Sequence, residues 1–331
     1  MLAVRPWLSA SHHLEIDPLS AQEIVHAAVA VLMREDGMVL LGNRPAGKAW
    51  AGWWEFPGGK IEQGETPLEA LQRELDEELA VHATEAYPWL VRSFDYPEKT
   101  VKLHFFIVKS WQGEPVGREG QQLSWQNPAH LTVEPMLPAN IPLLSALSLP
   151  AICVITHMQA MGEQAFFSAL AAQLKSGLKL IQVREKHLNS ADLLAFSKRV
   201  IALAHPYGAR VVINAGIADA LKAGADGVHL NRYALMQLHE KPAGLLVSAS
   251  CHNAQEMAQA ADLNLDFVLL SPVLPTLSHP ASQGMGWANF AALKQDYPLP
   301  VYALGGMQYA ELKNAWQAGA HGIAMQRAVW E

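Results

Sequence analysis

Two hydrophobic patterns divide the chain. In the first, apolar stretches rich in β-branched and aromatic residues alternate with polar turns: Ile24–Met33, Met38–Leu41, Leu90–Phe94 and Val101–Lys109. These predict strands. Glu35-Asp36-Gly37, between the first two, is an Asp-Gly hairpin signal. One segment has a helical period instead. Leu68, Leu71, Leu75 and Leu79 recur every three or four residues and predict the apolar face of a helix over 67–79. Thr66 suits its N-cap, Pro67 its first turn, and Glu69 completes a capping box.

The second pattern begins near residue 152. Eight short apolar runs follow: Ile152–Thr156, Leu180–Arg184, Val211–Asn214, Gly227–Leu230, Leu246–Ser250, Phe267–Ser271, Val301–Leu304 and Gly322–Met325. They lack clean alternation, and most are separated by Ala/Leu/Lys segments with helical spacing. Buried parallel strands in β/α units have this character, and eight units predict a (β/α)8 TIM barrel. A quasi-repeat agrees: Ala-Gly-Ala-Asp-Gly-Val-His at 223–229 returns as Ala-Gly-Ala-His-Gly-Ile-Ala at 318–324. A doubly wound sheet is the alternative architecture. Residues 126–150 carry Pro128, Pro135, Pro138, Pro142 and Pro150, so the boundary is expected near Leu149, after a short helix over Pro142–Leu147. The expected organisation is a mobile leader over 1–22, a first domain over 23–148 and a second over 149–331.

A chain of 331 residues, half of them hydrophobic, has enough apolar side chain for two cores. Its net charge of −7, with no basic stripe, argues against duplex nucleic acid as a partner. Cys153 and Cys251 are isolated in apolar runs, which excludes a disulfide framework and fits a reducing, cytoplasmic compartment. No apolar stretch reaches transmembrane length, and residues 1–22 lack the apolar core of a signal peptide, so no membrane partner is expected.

Charge placement on the first helix carries the chemistry. Glu74, Glu77 and Glu78 fall at i, i+3 and i+4 and crowd three carboxylates onto one face. An acidic solvated face is the plain explanation of such a cluster. A hard divalent cation such as Mg2+, which takes oxygen ligands and binds together with phosphates, is the functional one. Pro57-Gly58-Gly59 upstream, with Glu65 and Arg73 at fixed offsets, favours the second.

The run from Gly59 to Val81 resembles the Nudix box of hydrolases acting on nucleoside-diphosphate-linked compounds, with Ala80 where the family has glycine. From about Val25 to Leu147 the chain is similar to MutT-type 8-oxo-dGTP pyrophosphohydrolases. Arg44, Glu55-Phe56-Pro57-Gly58-Gly59-Lys60, Gly113-Glu-Pro115, Glu119-Gly120-Gln121 and Pro138-Ala139-Asn140 carry the likeness. It implies an α/β/α sandwich. It also implies metal ligation by the Gly58 carbonyl, Glu74, Glu77, Glu78 and Glu119, with Mg2+ (or Mn2+) as the ion and Glu74 or Glu119 as the base. Arg44 would meet the phosphates, Phe56 would wall the base pocket, and Asn140 would read the oxidised guanine edge with its amide. Lys99 stands where the family tends to have arginine, and a lysine cannot reproduce a bidentate fork. The implied reaction is hydrolysis of a nucleoside triphosphate to monophosphate and pyrophosphate.

In the second half, Gln182, Arg184 and Lys186 follow the second run, Gly305-Gly306 the seventh and Arg327 the eighth. At strand C-terminal ends such residues could cradle a phosphate or pyrophosphate; the plain alternative pairs Arg184 and Lys186 with Glu185 and neighbours. About 151–329 resembles thiamine-phosphate synthase and the thiazole tautomerase TenI, on Gln182-Val-Arg184-Glu-Lys186, Ala225-Asp-Gly-Val-His-Leu230, Pro272-Val-Leu-Pro-Thr276 and Leu304-Gly-Gly-Met307. Ala215 stands where the synthase has a Mg2+-binding Asp, its second acidic ligand is missing near Ala234, and its basic residue after strand six aligns with His279. The tautomerase histidine falls near Pro272. The resemblance therefore implies a barrel that binds a thiamine-related phosphate without either enzyme's full chemistry.

Overall fold

The computed structural model describes residues 23–95, 98–276 and 283–330. The expected leader and His279 lie outside them. The first region is built from β1 (Glu23–Leu32), β2 (Val39–Asn43), β3 (Trp54–Glu55), β4 (Gly58–Lys60), α1 (Pro67–Leu79), β5 (His82–Asp95), β6 (Lys99–Gln112), β7 (Leu123–Gln126) and α2 (Ile141–Leu147). Two sheets form, ordered β4-β1-β6-β5 and β3-β2-β7.

β1 is central, and both of its faces are covered. Ala28, Ala30 and Leu32 pack with Ala70, Leu71, Leu75 and Leu79 of α1. Val29 and Val31 pack with Phe56 and with Leu143, Ala146 and Leu147 of α2. Alternating side chains thus feed two apolar layers, which makes the α/β/α sandwich. Two sequence expectations are modified. Leu68 is exposed, so only three leucines of the apolar stripe, Leu71, Leu75 and Leu79, are buried. The Asp-Gly turn joins β1 and β2 through one antiparallel bridge, Met33 to Val39, after which the strands enter different sheets.

α1 starts as its sequence dictates. The Thr66 hydroxyl accepts from the Glu69 amide (3.3 Å), and the Glu69 carboxylate accepts from the Thr66 amide (2.7 Å). It ends at Ala80 in the left-handed conformation (φ 58°, ψ 31°), where glycine would be unstrained.

The second region is a closed barrel of eight parallel strands: β8 (Ile152–Ile155), β9 (Leu180–Val183), β10 (Arg210–Ile213), β11 (Gly227–Leu230), β12 (Leu246–Cys251), β13 (Phe267–Leu270), β14 (Val301–Leu304) and β15 (Gly322–Met325). Residues facing outward pack with the surrounding helices in one large core, while Cys153, Ile155, Leu180, Val212, Phe267, Leu269, Tyr302 and Ala324 form a second cluster. Among the described residues no helix is long and apolar enough to cross a membrane.

The two regions meet along β5 and β6. The Trp89 indole N–H donates to His321 Nδ1 (3.1 Å), and His321 Nε2 lies 2.8 Å from the Leu149 carbonyl. The Val91 amide donates to the Tyr297 carbonyl (3.2 Å) and Arg92 Nε to the Pro298 carbonyl (3.2 Å). Lys102 pairs with Asp296 (2.8 Å), and Lys109 lies over the Trp316 ring (4.2 Å). Leu149, Asp296–Pro298 and His321 all precede barrel strands. The first domain therefore docks on the N-terminal end of the barrel, opposite the end that carries Arg184, Gly305-Gly306 and Arg327.

Candidate active site

The candidate site of the first domain forms where β4 meets α1. Two glycines allow the approach. A Cβ at Gly58 (φ +144°) would lie 2.2 Å from the Ala28 carbonyl oxygen, and one at Gly59 would lie 2.2 Å from Glu74 Oε1. Only bare backbone lets the Glu74 carboxylate rest against β4. Glu78 lies beside the same strand, accepting from the Gly58 amide (3.3 Å). Its carboxyl is pushed up to about 7, first by burial, then by the negative charges of Glu74 and Glu119. Glu119 reaches this cluster from the loop after β6.

Arg73 organises the loop between β4 and α1. Its Nε and Nη2 fork onto the two oxygens of Glu65 (2.8 and 2.9 Å), and Nη2 also donates to the Lys60 carbonyl (2.9 Å). This bond holds the Glu65 carboxyl down at about 2. Arg73 Nη1 reaches Glu74 (2.8 Å) and, more weakly, the exposed Glu77 (3.3 Å). Glu119 is paired with Lys48. Cationic side chains thus hold three of the four acidic groups, and among the described residues no three acidic, histidine or cysteine side chains already close around one point. The structure brings Glu74, Glu78 and Glu119 together and leaves Glu77 at the rim. An all-oxygen donor set of neighbouring carboxylates suits a hard cation.

Arg44 is fixed rather than loose. Its Nη1 donates to both oxygens of Glu55 (2.8 and 2.7 Å) and its Nε to the Ala49 carbonyl (2.6 Å). Burial raises the Glu55 carboxyl despite this pairing. Phe56 is buried among Val29, Val31, Leu41, Met136 and Leu143. Trp54 and its neighbours stitch residues 135–137 to β3 (Trp54 amide to Pro135 carbonyl, 2.8 Å; Leu137 amide to Trp54 carbonyl, 2.9 Å), which brings Asn140 to this same layer. Asn140 is 4% exposed and stands at the start of α2, yet its side chain caps nothing.

The barrel residues lie at or just beyond the C-terminal ends of β9, β14 and β15. Gln182 is buried with Oε1 unpartnered, and burial lowers the Arg184 guanidinium. Glu185 accepts the Met158 and Gln159 amides (2.7 and 3.3 Å) and lies 3.6 Å from His187, while its charge favours the protonated Arg184 without a direct ion pair. Lys186 is exposed. Gly305 (φ +100°) and Gly306 (φ +69°) run so close to Pro272 and Leu274 that a Cβ would lie 2.9 and 2.7 Å from them. Arg327 donates to the Thr276 hydroxyl (2.8 Å). His229 sits at the end of β11, bonded through both ring nitrogens to Ser248 and Ser250 (2.9 and 2.8 Å), and burial pushes it down to about 3.

Comparison with known proteins agrees with both halves. A Nudix-domain model matches residues 24–147, and a thiamine monophosphate synthase model matches residues 152–329, more than half of the chain. The chain belongs to both families. A Haemophilus influenzae 8-oxo-dGTP diphosphatase is 39% identical over 126 residues, covering 38% of this chain and 93% of the relative. An Escherichia coli CTP pyrophosphohydrolase is 39% identical over 118 residues, covering 36% and 87%. A putative thiamine-phosphate synthase 2 from Aquifex aeolicus is 34% identical over 180 residues, covering 54% and 96%. The Nudix domain is accordingly a hydrolase of phosphoric anhydrides.

Two placements were not foreseen from the Nudix sequence. Lys99 opens β6 opposite Glu23, six positions along β1 from Val29, which pairs with Gly58. At the rise of an extended strand that sets its backbone roughly 20 Å along the sheet from the position beside Gly58. Lys48, which the sequence does not distinguish from any loop lysine, lies on Glu119 within the cluster. Its only sequence signal is its position between Arg44 and the Glu55–Gly59 run.

Proposed function

We propose that the chain hydrolyses 8-oxo-dGTP to 8-oxo-dGMP and pyrophosphate, removing an oxidised nucleotide that causes replication errors. The observation that carries this reading is the joint placement of an acidic cluster at Gly58–Gly59 and a buried, uncommitted amide, Asn140, beside the Phe56 layer. Relatives of 36–39% identity named 8-oxo-dGTP diphosphatases support the substrate. We assign residues 23–148 to this domain and 149–331 to the barrel, in a cytoplasmic protein.

The Gly58 carbonyl, Glu74, Glu77, Glu78 and Glu119 would hold Mg2+ (or Mn2+). The ion would neutralise phosphate charge and acidify a bound water. The protein's own part is positioning and charge stabilisation. Arg44, locked by Glu55, presents its remaining guanidinium edge to phosphate oxygens. Phe56 walls the base pocket, and Asn140 offers a donor and an acceptor to the oxidised base edge. Glu74 or Glu119 takes the proton from the attacking water. Glu78→Gln tests the assignment, because it removes charge at the centre of the cluster with little change of shape. We expect Mg2+-dependent release of pyrophosphate to fall on the order of 100- to 1,000-fold; retained activity would refute the metal-site assignment.

A second reading has its own support. The barrel keeps a glycine turn and two arginines at its C-terminal end, consistent with binding a thiamine-related phosphate, and the Nudix site would then act on a thiamine-related pyrophosphate. Ala215, in place of an acidic residue after β10, supports binding without synthase turnover.

A further inference from the structure

Lys48 is the cation within the acidic cluster to which the foregoing reading gives no role. It lies on a ten-residue loop, 44–53, closed by Arg44 amide to Trp53 carbonyl and Gly52 amide to Arg44 carbonyl bonds, both 2.8 Å. Gly47 and Gly52 take positive φ (91° and 81°), so the loop turns back over the site. The Lys48 ammonium contacts Glu119 Oε2. Lys48 and Glu119 are nearly half exposed (48% and 42%), so neither is walled in.

The neighbouring cations are committed in a way that Lys48 is not. Arg44 is locked to Glu55 and Ala49. Arg73 is locked to Glu65, Glu74 and Lys60. Lys48 makes one exposed ion pair from a flexible four-carbon stem, and an ammonium is a point charge that binds equally well in many directions. Its present partner is a carboxylate that the metal reading claims as a ligand. An ammonium and a divalent cation compete for that oxygen, and the cation displaced is released at the mouth of a site that takes a polyphosphate.

We propose that Lys48 is a two-position phosphate-binding residue: it rests on Glu119 in the metal-free protein and turns onto the substrate's polyphosphate chain when metal takes Glu119. This rests on the metal-site reading above. Two consequences have opposite signs. Lys48 weakens metal binding to the free protein, and it strengthens binding of the metal–polyphosphate complex.

The test measures Mn2+ binding to the full chain by calorimetry, alone and then with inorganic tripolyphosphate, which carries the phosphate chain without a base. In Lys48→Met, Mn2+ alone should bind about two- to fivefold more tightly, as expected for losing one exposed ion pair. The Mn2+–tripolyphosphate complex should bind about tenfold more weakly, as expected for losing a charge-assisted hydrogen bond. Lys48→Arg should restore the second affinity. Arg118→Met controls for simple charge loss: Arg118 adjoins Glu119 but donates to the Asp76 carbonyl (3.0 Å). Glu78→Gln controls for the site itself. If Lys48→Met matches Arg118→Met in both affinities while Glu78→Gln loses Mn2+, the role of Lys48 is overturned alone. If Glu78→Gln binds Mn2+ like the wild type, the metal-site reading falls and the inference falls with it.

Discussion

Acidification should loosen the chain at the joint between its domains. The His321 ring is held between Trp89 and Leu149: Nδ1 accepts from the indole N–H at 3.1 Å, so Nε2 carries the proton and donates to the carbonyl at 2.8 Å. A second proton on Nδ1 would face the indole N–H. Burial is the main cause that lowers this histidine, from its ordinary 6.5 to about 4, opposed in part by the Leu149 bond. Because the folded value is depressed, the unfolded chain binds more protons between pH 6.5 and 4. Stability is therefore complete above pH 6.5 and falls as pH drops through that window. Each pH unit of difference is worth about 1.4 kcal/mol, so the loss approaches about 3 kcal/mol at full protonation and about 2 kcal/mol on going from pH 7 to 5. Urea unfolding of wild type and His321→Gln at the two pH values isolates the effect. The variant, unable to titrate here, should lose about 2 kcal/mol less than the wild type between pH 7 and 5. Equal losses in both proteins would refute the locked-tautomer argument. His229, also depressed, contributes equally to each and cancels.

Other consequences are separable by site. Ala80→Gly relieves the left-handed cap of α1 and should raise stability by about 1 kcal/mol, read as a shift in urea midpoint at unchanged slope. Asn140→Ala should cut the preference for 8-oxo-dGTP over dGTP by about 10- to 100-fold in kcat/KM while sparing a small pyrimidine pyrophosphate. In the barrel, Arg184→Ala should weaken binding of inorganic pyrophosphate, measured with Glu78→Gln in the background to silence the Nudix site; unchanged binding would remove the phosphate role from that end of the barrel.

The elements most evident in the sequence are those with short-range causes. The capping box at Thr66–Glu69, the carboxylate spacing on α1 and the eight apolar runs each follow from periods and local hydrogen bonds. The hairpin signal at Asp36-Gly37 described its turn correctly but not the fate of its strands, since sheet membership depends on distant partners. Leu68 fits the helical period yet faces solvent, because a stripe of period 3.6 does not say how wide the covering layer is. The joint between domains was invisible: Trp89 stands just before the apolar run Leu90–Phe94 with no signal of its own, and His321 reads as part of a helix-to-strand repeat. Lys48 was missed for the same reason, its role being set by a carboxylate 71 residues away.

The most direct test of the central claim is a steady-state assay of the purified full chain with Mg2+, comparing 8-oxo-dGTP, dGTP, CTP, hydroxymethylpyrimidine diphosphate and thiamine diphosphate. The account predicts the highest kcat/KM for 8-oxo-dGTP, with pyrophosphate and the nucleoside monophosphate as products. A higher kcat/KM for either thiamine-related compound, or equal values for 8-oxo-dGTP and dGTP, would contradict it.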